Sequence, residues 1–411
     1  MAGENKLRVA MLSAHSCPVG DLGARDTGGM SVYIRELAAE MGRQGHSVDI
    51  YTRVHDPADS QIIELGQGAR LVHLRAGEEE KIHKLAVYSY LPEFTCHLEN
   101  FRQNNDLHYD LVFSHYWLSG WVGEYLQRWW QVPHVIMFHT LGAVKNDIGI
   151  GEDAPELRIV TEKDAVANCH RIIAATEREK EELVYHYGAV PDKIGIVPCG
   201  VNMELFQPFD RMAARQKLGL SDEKVMLFIG RIDPLKGIDQ LLNAMTHLQK
   251  VPGLRLIVIG GDKYSTQEME KLHRLAADLN IQDAVTFQGS VNHEQLPYYY
   301  SAADVCVVPS YYESFGLVAL EALASGTPVV ATDVGDLRNI IRQGQTGYVL
   351  TDNNPENLAE KMGLILSGPG RDMETALSIR ESVSRYSWPN ITGSVMSELS
   401  LVLENQIPSA V

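Results

Sequence analysis

Short apolar runs alternate with helical stretches from one end of this chain to the other. In the first half, apolar runs predict strands at 7–13, 48–53, 70–75, 110–115, 133–139, 171–175 and 193–197. In the second half, they predict strands at 225–230, 255–260, 284–288, 305–309, 328–332 and 347–350. Most of these runs are continuous and rich in β-branched residues, which is typical of parallel strands that are covered on both faces.

The segments between these runs have helical periodicity. One buried helical stripe is formed by Met30, Tyr33, Ile34, Leu37, Ala38 and Met41. Strands that alternate with helices predict two doubly wound α/β domains. We place the first domain at 1–200 and the second at 201–387, because the loop-like segment Pro198 to Asn202 follows the last strand of the first half. A helical segment, 388–411, completes the chain.

Composition supports this division and narrows the class of protein. A chain of 411 residues, 45% hydrophobic and 22% charged, is typical of a globular protein with two domains. It contains no uncharged apolar run of membrane-spanning length, and residues 1–8 lack the apolar core of a signal peptide. Five scattered cysteines indicate free thiols, so we expect a cytoplasmic protein.

The overall charge limits the partners. A formal net charge of −17 argues against nucleic acid as a partner and against stable association with an anionic membrane. It does not exclude small anionic ligands, because a local cluster of Arg and Lys can outweigh the average. The sequence leaves a homodimer open.

Two glutamates, Glu313 and Glu321, are the most informative pair in the chain. Glu321 is the only charged residue between Glu313 and Asp333, and it lies in the apolar stretch 317–324, where an unpaired carboxylate is costly to bury. We expect a short helix at 317–325 with Glu313 on the loop before it, so that both carboxylates face one space beside the helix N-terminus. Such a site suits the hydroxyls and phosphate of a sugar nucleotide. The alternative is that Glu321 faces water through a gap in the core.

Two loops have the chemistry of phosphate binding. Gly28 and Gly29 precede a predicted helix, where the backbone can approach a ligand closely, although an ordinary strand-to-helix connection would use the same residues. Arg231 and Lys236 follow the strand at 225–230, at the carboxyl edge of a parallel sheet where such folds bind ligands. The two cations suit a diphosphate, and the alternative is a pair of solvated surface charges.

Polar residues also follow two strands of the first half. The segments are His115-Tyr116-Trp117 and His139-Thr140, both predicted to lie on the cleft side. A lone histidine in such a place is more often a packing residue, but His139 is predicted to face Glu313. The sequence has no nucleophile elbow with a Ser-His-Asp order, no zinc-ligand spacing, no P-loop and no Asp-x-Asp pair. We therefore expect no metal and no cofactor.

Together, these four segments resemble glycosyltransferase family 4, and the resemblance covers essentially the whole chain. Its most specific parts are the Glu-x7-Glu pair and Arg231 with Lys236. The resemblance implies the GT-B fold, in which two Rossmann-like domains face a cleft and a C-terminal helix, here 388–411, packs back on the N-terminal domain. It also implies a retaining hexosyltransferase that uses a UDP-sugar as its donor substrate and requires no metal.

The resemblance also assigns donor-site roles. Arg231 and Lys236 would hold the diphosphate, Glu321 would bind the ribose, and Glu313 would contact the sugar. The implied site is completed by the backbone at Phe315, Gly316 and Leu317, by Gly28 and Gly29 near the diphosphate, and by His139 at the reaction centre.

Within the family, the segments around Tyr116 and Thr140 resemble members whose acceptor carries a phosphate. These members use inositol phosphate, or fructose 6-phosphate to form sucrose phosphate. Lys84, Tyr116, Thr140 and Arg158 are implied to hold the acceptor phosphate, although Lys84 and Arg158 could equally be solvated charges. The segment 55–80 departs from both groups. The transferred sugar is expected to be a hexose or an N-acetylhexosamine, and a lipid acceptor, an epimerase activity and a catalytically silent binding protein stay as alternatives.

Overall fold

The first half of the chain folds into one twisted sheet covered by helices on both faces. A computed structural model describes residues 6–20, 27–80, 82–261 and 265–404. The strands of the first sheet are β1 (Arg8–Leu12), β2 (Ser47–Arg53), β3 (Ile62–Glu64), β4 (Ala69–Leu74), β5 (Leu111–His115), β6 (His134–Met137), β7 (Arg171–Ala174) and β8 (Ile194–Ile196). Their spatial order is β3-β4-β2-β1-β5-β6-β7-β8, with every pair parallel except β3 and β4.

The second half repeats this architecture with a fully parallel sheet. Its strands are β9 (Lys224–Ile229), β10 (Leu254–Ile259), β11 (Val285–Gly289), β12 (Val305–Val308), β13 (Val329–Thr332) and β14 (Gly347–Leu350). They are arranged in the order β11-β10-β9-β12-β13-β14. The predicted fold class, two doubly wound α/β domains, is therefore confirmed, and each predicted strand is present within two residues of its expected bounds.

One strand was missed by the sequence pattern. β3 lies in the segment 55–80 and pairs antiparallel with β4, Ile62 facing Val72. It is short and lies at the edge of the sheet, and its Ile62 is exposed. A three-residue edge strand leaves no long apolar run, so the pattern had no signal for it.

Helices connect the strands and cover the sheets. In the first half they are α1 (Gly29–Arg43), α2 (Lys84–Asn104), α3 (Tyr116–Trp130), α4 (Gly142–Ile148), α5 (Glu156–Asn168) and α6 (Glu177–Tyr187). In the second half they are α7 (Arg211–Lys217), α8 (Ile238–Thr246), α9 (Thr266–Asp278), α10 (Leu296–Ala302), α11 (Leu317–Ala324), α12 (Leu337–Ile340), α13 (Pro355–Leu366), α14 (Met373–Glu381) and α15 (Trp388–Glu404). Across the described ranges, no helix is both long and apolar enough to cross a bilayer.

The last helix, α15, leaves the second half and lies against α1 and β7 of the first half. Arg171 of β7 donates from Nε to Glu398 of α15 at 2.6 Å, and one apolar cluster runs from the first sheet through Trp388 into the second. Residues 405–411 of the predicted segment lie outside the described residues. The division of the chain at 200 and 387 stays a prediction.

Candidate functional site

A cavity of about 330 Å³ lies between the carboxyl edges of the two sheets. The first half contributes His15, Thr27, Gly28, Gly29, Met30, Val32, Tyr33, Lys84, Tyr116, His139, Thr140, Lys145 and Cys199 to its wall. The second half contributes residues 229–231, 235–236, 259–260, 290–291, 293, 296, 312–318 and Glu321. Every residue with a predicted donor-site or acceptor-site role, except Arg158, therefore lines this cavity, because the carboxyl ends of parallel strands converge at one edge of each sheet.

Glu321 does not face water. It lies on α11 with only 8% of its surface exposed, and it accepts hydrogen bonds from the Tyr300 hydroxyl at 2.9 Å and from His293 Nε2 at 3.3 Å. Burial, and the adjacent Glu321 carboxylate, raise the pKa of Tyr300 well above its usual value, so the phenol stays a donor. These two partners explain how an apolar helix carries a carboxylate at the cavity wall.

Glu313 is already paired with one of the predicted phosphate ligands. Its carboxylate accepts hydrogen bonds from Lys236 Nζ at 2.6 Å and from Ser310 Oγ at 2.9 Å. Lys236 belongs to a 3₁₀ turn, Pro234–Lys236, and both members of the ion pair are less than one fifth exposed. Arg231 is more open, with its guanidinium 3.7 Å from Asp233. The charge of Lys236 is therefore balanced until an anion enters.

The N-terminus of α11 opens into the cavity at Phe315, Gly316 and Leu317. Gly316 has φ +116°, and a Cβ atom there would come within 2.5 Å of the Leu337 side chain. This position therefore requires glycine. The free N–H groups of a helix N-terminus favour an anion at this wall of the cavity.

The glycine pair at the start of α1 has two different surroundings. A Cβ atom on Gly28 would meet nothing within 4 Å, so its backbone borders open space in the cavity. A Cβ atom on Gly29 would be 2.9 Å from Leu317 Cδ1, so the two halves of the protein pack closely against each other here. Residues 21–26, shortly before this pair, lie outside the described residues.

His139 and His115 form a hydrogen-bonded pair of imidazoles. Nδ1 of His115 lies 2.9 Å from Nε2 of His139; His115 is the last residue of β5, and His139 comes two residues after the neighbouring strand β6. Burial lowers the pKa of His139 to about 3 and that of His115 well below its usual value. His115 was predicted to face the cleft, but it is fully buried behind His139 and only His139 reaches the cavity.

The predicted acceptor residues also converge. Tyr116 is stacked on His15 with ring centroids 4.5 Å apart, and the Arg158 guanidinium lies 4.9 Å from the Tyr116 ring. Arg158 donates to the Thr140 carbonyl at 2.8 Å and to its hydroxyl at 3.1 Å. Lys84, the first residue of α2, lines the same end of the cavity.

Arg158 is not the solvated charge that the sequence left as an alternative. It is 3% exposed, donates from Nε to Glu162 at 2.7 Å, and lies behind Thr140 rather than on the cavity wall. Tyr116 and His139 both have positive φ, +76° and +62°, which is uncommon for residues with side chains. Such backbone strain is typical of functional sites whose surroundings hold it in place.

One cation in this part of the cavity, Lys145, was not predicted from the sequence. Lys145 is on α4, within one turn of Gly142, and it lines the cavity. Burial, together with the nearby Lys84, Arg158 and Arg231, lowers the pKa of Lys145 to about 8. Its position in the first helical turn after the strand that ends at Met137 could have indicated that it lies near the cavity. Tyr300 and His293 had no comparable signal, because they come from a different helix and turn than Glu321.

Comparison with known families agrees with this geometry. Residues 27–205 match the family profile described as Glycosyltransferase Family 4, and residues 210–382 match the one described as Glycosyl transferases group 1. The chain is 40% identical over 397 residues to D-inositol 3-phosphate glycosyltransferase of Streptomyces bingchenggensis, with 94% of this chain and 87% of that protein aligned. It is 34% identical over 409 residues to the protein of that name from Corynebacterium glutamicum, covering 97% and 98%.

Two solved structures superpose on this chain over almost its whole length. Sucrose-phosphate synthase from Thermosynechococcus elongatus superposes with a TM-score of 0.88 at 33% identity, covering 98% of this chain and 100% of that one. Anabaena HepE in complex with UDP and glucose superposes with a TM-score of 0.76 at 17% identity, covering 96% and 100%. The second likeness concerns the fold alone.

Proposed function

This chain belongs to glycosyltransferase family 4, and we propose that it transfers a hexose or an N-acetylhexosamine from a UDP-sugar to inositol phosphate or a closely related phosphorylated polyol. The observation that carries this proposal is one cavity that receives cations from both halves of the chain. The second half contributes Arg231, Lys236 and the N-terminus of α11, and the first half contributes Lys84 and Lys145, with Arg158 behind Thr140. A reaction between two phosphorylated substrates needs such a site.

The donor would be held mainly by the second half of the chain. Its diphosphate would take the Lys236 ammonium from Glu313, which lies 2.6 Å from it, and Glu313 would then be free to accept hydrogen bonds from hydroxyls of the sugar. Glu321 would accept hydrogen bonds from the ribose hydroxyls, because Tyr300 and His293 hold its carboxylate at the wall. Arg231 would add a guanidinium fork to the diphosphate.

The acceptor would be held by the first half of the chain. Its phosphate would lie among Lys84, Lys145, Tyr116 and Thr140, with Arg158 supporting Thr140 and Tyr116 from behind. Burial, together with the charges of Lys84 and Arg158, lowers the pKa of Lys145, and an anion placed beside these groups would offset that cost. The phosphate would orient the acceptor rather than take part in the chemistry.

The transfer would proceed with retention at the anomeric carbon. The bond from that carbon to the diphosphate oxygen breaks while an acceptor hydroxyl bonds to the same face, and the leaving phosphate oxygen takes the hydroxyl proton. Arg231, Lys236 and the α11 N-terminus would stabilise the charge that develops on the diphosphate. Because the acceptor hydroxyl attacks the same face, no carboxylate is needed as a nucleophile in this route. Glu313 and Glu321 are assigned to hydroxyl groups instead. Metal independence stays a prediction.

Fructose 6-phosphate is the second candidate acceptor. The observation in its favour is the 33% identity to a sucrose-phosphate synthase over nearly the whole chain. A lipid acceptor would need an apolar or basic membrane-facing surface on the first half, and the formal charge of −17 gives it no support. A cytoplasmic location and the oligomeric state stay predictions from the sequence.

The test is UDP release from UDP-glucose and UDP-N-acetylglucosamine, each with inositol phosphate, fructose 6-phosphate, inositol or fructose. Turnover that requires the phosphate on the acceptor would support the proposal and identify the sugar. Turnover with fructose 6-phosphate alone would select the second candidate. UDP binding without turnover on any acceptor would overturn the acceptor assignment and leave the donor site intact.

A further inference from the structure

His115 lies where it can determine the state of His139. It is the last residue of β5, and His139 closely follows β6, the adjacent parallel strand of the first sheet. The ring of Tyr33 packs edge-on against both imidazoles, with centroids 5.8 Å and 5.3 Å away. His115 is completely buried, whereas His139 is partly open to the cavity.

The hydrogen bond between the two rings requires one donor and one acceptor. Because burial keeps both imidazoles neutral, each ring carries one proton and one lone pair. Either His115 Nδ1–H donates to His139 Nε2, or His139 Nε2–H donates to His115 Nδ1. The 2.9 Å distance fits both arrangements.

The other nitrogen of the His115 ring, Nε2, distinguishes these two arrangements. His115 Nε2 is buried and has no hydrogen-bond partner among the described residues. In the second arrangement this atom would carry a buried, unpaired N–H group, whereas in the first it is an unpaired lone pair. Orphaned N–H groups are rarer in folded proteins than acceptors with an unused lone pair, so the first arrangement is favoured.

We propose that His115 is a positioning residue that donates from Nδ1 to His139 Nε2 and thereby fixes His139 as a hydrogen-bond donor toward the cavity. The nitrogen of His139 that remains for a ligand is then Nδ1–H. His139 has no free lone pair with which to accept a proton, so it cannot serve as a general base. Given the proposed function, its N–H donates to an oxygen of the sugar at the reaction centre.

Backbone geometry supports this arrangement. His139 and Tyr116, the residue after His115, both adopt positive φ. Residues with side chains rarely adopt positive φ, and these two lie at the ends of neighbouring strands, where the two imidazoles meet. The strained conformations of Tyr116 and His139 are costly and persist only where the surrounding structure holds them.

The tautomer can be measured directly by NMR with ¹⁵N-labelled histidine, in the intact protein and without any substrate. We expect His139 to show a protonated Nδ1 and an unprotonated Nε2, and His115 to show the same pattern. In His115→Leu, the His139 pattern should shift toward a mixture of tautomers. A wild-type His139 with its proton on Nε2 would overturn the proposal regardless of activity.

Two substitutions separate positioning from packing. His115→Asn places an amide N–H near the position of Nδ1, so it should retain the His139 tautomer and stay within about twofold of wild-type kcat. His115→Leu should lower kcat roughly three- to tenfold, the effect of one neutral hydrogen bond, with the Kd for UDP unchanged. Equal losses in both variants would contradict the proposal.

His134→Gln is the matched control. His134 is likewise fully buried in the same sheet, but its Nε2 bonds to Ser114 Oγ at 2.6 Å and it does not line the cavity. This variant should leave both the His139 spectrum and kcat unchanged, and a shift in either would overturn the proposal by showing that any buried histidine has this effect. If His139 has the expected tautomer but no sugar is transferred, the positioning holds and the proposed function fails.

Discussion

Replacing Arg158 with methionine should destabilise the protein as well as weaken acceptor binding. The guanidinium and the Glu162 carboxylate form an ion pair at 2.7 Å, with the Arg158 side chain 4% exposed and that of Glu162 fully buried. Without Arg158, Glu162 would keep hydrogen bonds from the Gly142 N–H at 3.0 Å and the Tyr187 hydroxyl at 2.5 Å, but its charge would be uncompensated.

The expected loss can be worked from these contacts. Removing one partner of a buried ion pair costs about 3–5 kcal/mol, and the two remaining hydrogen bonds to Glu162 place the value near the lower limit, about 3 kcal/mol. Glu162→Gln retains an oxygen for Gly142 and Tyr187 while removing the charge. The double variant Arg158→Met with Glu162→Gln should therefore lose only about 1–2 kcal/mol, because no buried charge is left without a partner.

Urea unfolding followed by tryptophan fluorescence suits this test, because four of the five tryptophans lie between residues 117 and 130 of the first half. Acceptor KM, measured on the same proteins, separates stability from binding. Both variants that lack Arg158 should raise acceptor KM at least tenfold with little change in donor KM. If Arg158→Met loses less than about 1 kcal/mol, or if the double variant is less stable than the single one, the reasoning about the buried pair is refuted.

Three further predictions concern other parts of the site and the core. Glu321→Ala should weaken UDP binding roughly 10- to 100-fold in calorimetry, since hydrogen bonds to a charged group contribute about 1.5–3 kcal/mol, and unchanged binding would exclude Glu321 from the nucleotide site. Burial lowers the pKa of Lys145 to about 8, so the side chain loses its positive charge, and acceptor affinity should fall, as pH rises from 7 to 9. Lys145→Met should lack this slope, and an identical slope in both proteins would contradict the assignment. Burial lowers the pKa of His134 and His139 to about 3 from a usual 6.5, so below pH 6.5 the unfolded chain binds protons that the folded chain does not. Stability should therefore fall on acidification by about 1.4 kcal/mol per pH unit for each histidine, and a flat urea midpoint between pH 7 and 5 would contradict this.

Much of the fold followed from local sequence pattern. Continuous β-branched runs predicted every strand except β3, because parallel strands covered on both faces need apolar residues at each position. A residue that follows a predicted strand in the sequence was also expected to lie at the carboxyl end of that strand. Since the carboxyl ends of parallel strands meet at one edge, residues as distant as Gly28, His139 and Glu321 could be assigned to one cavity.

The partners of these residues were decided only by the tertiary structure. Glu321 meets Tyr300 and His293, and Lys236 meets Glu313, across 21 to 77 positions of the chain. A hydrogen bond depends on distances of a few tenths of an ångström, and these are determined by how helices pack on the sheets rather than by spacing in the sequence. The same packing buries His115 behind His139 and Arg158 behind Thr140. The sequence by itself therefore determined which strand ends border the cleft. The packing of helices on the sheets and of the two halves decided which side chains reach the cleft, and which are paired, buried or left open to a ligand.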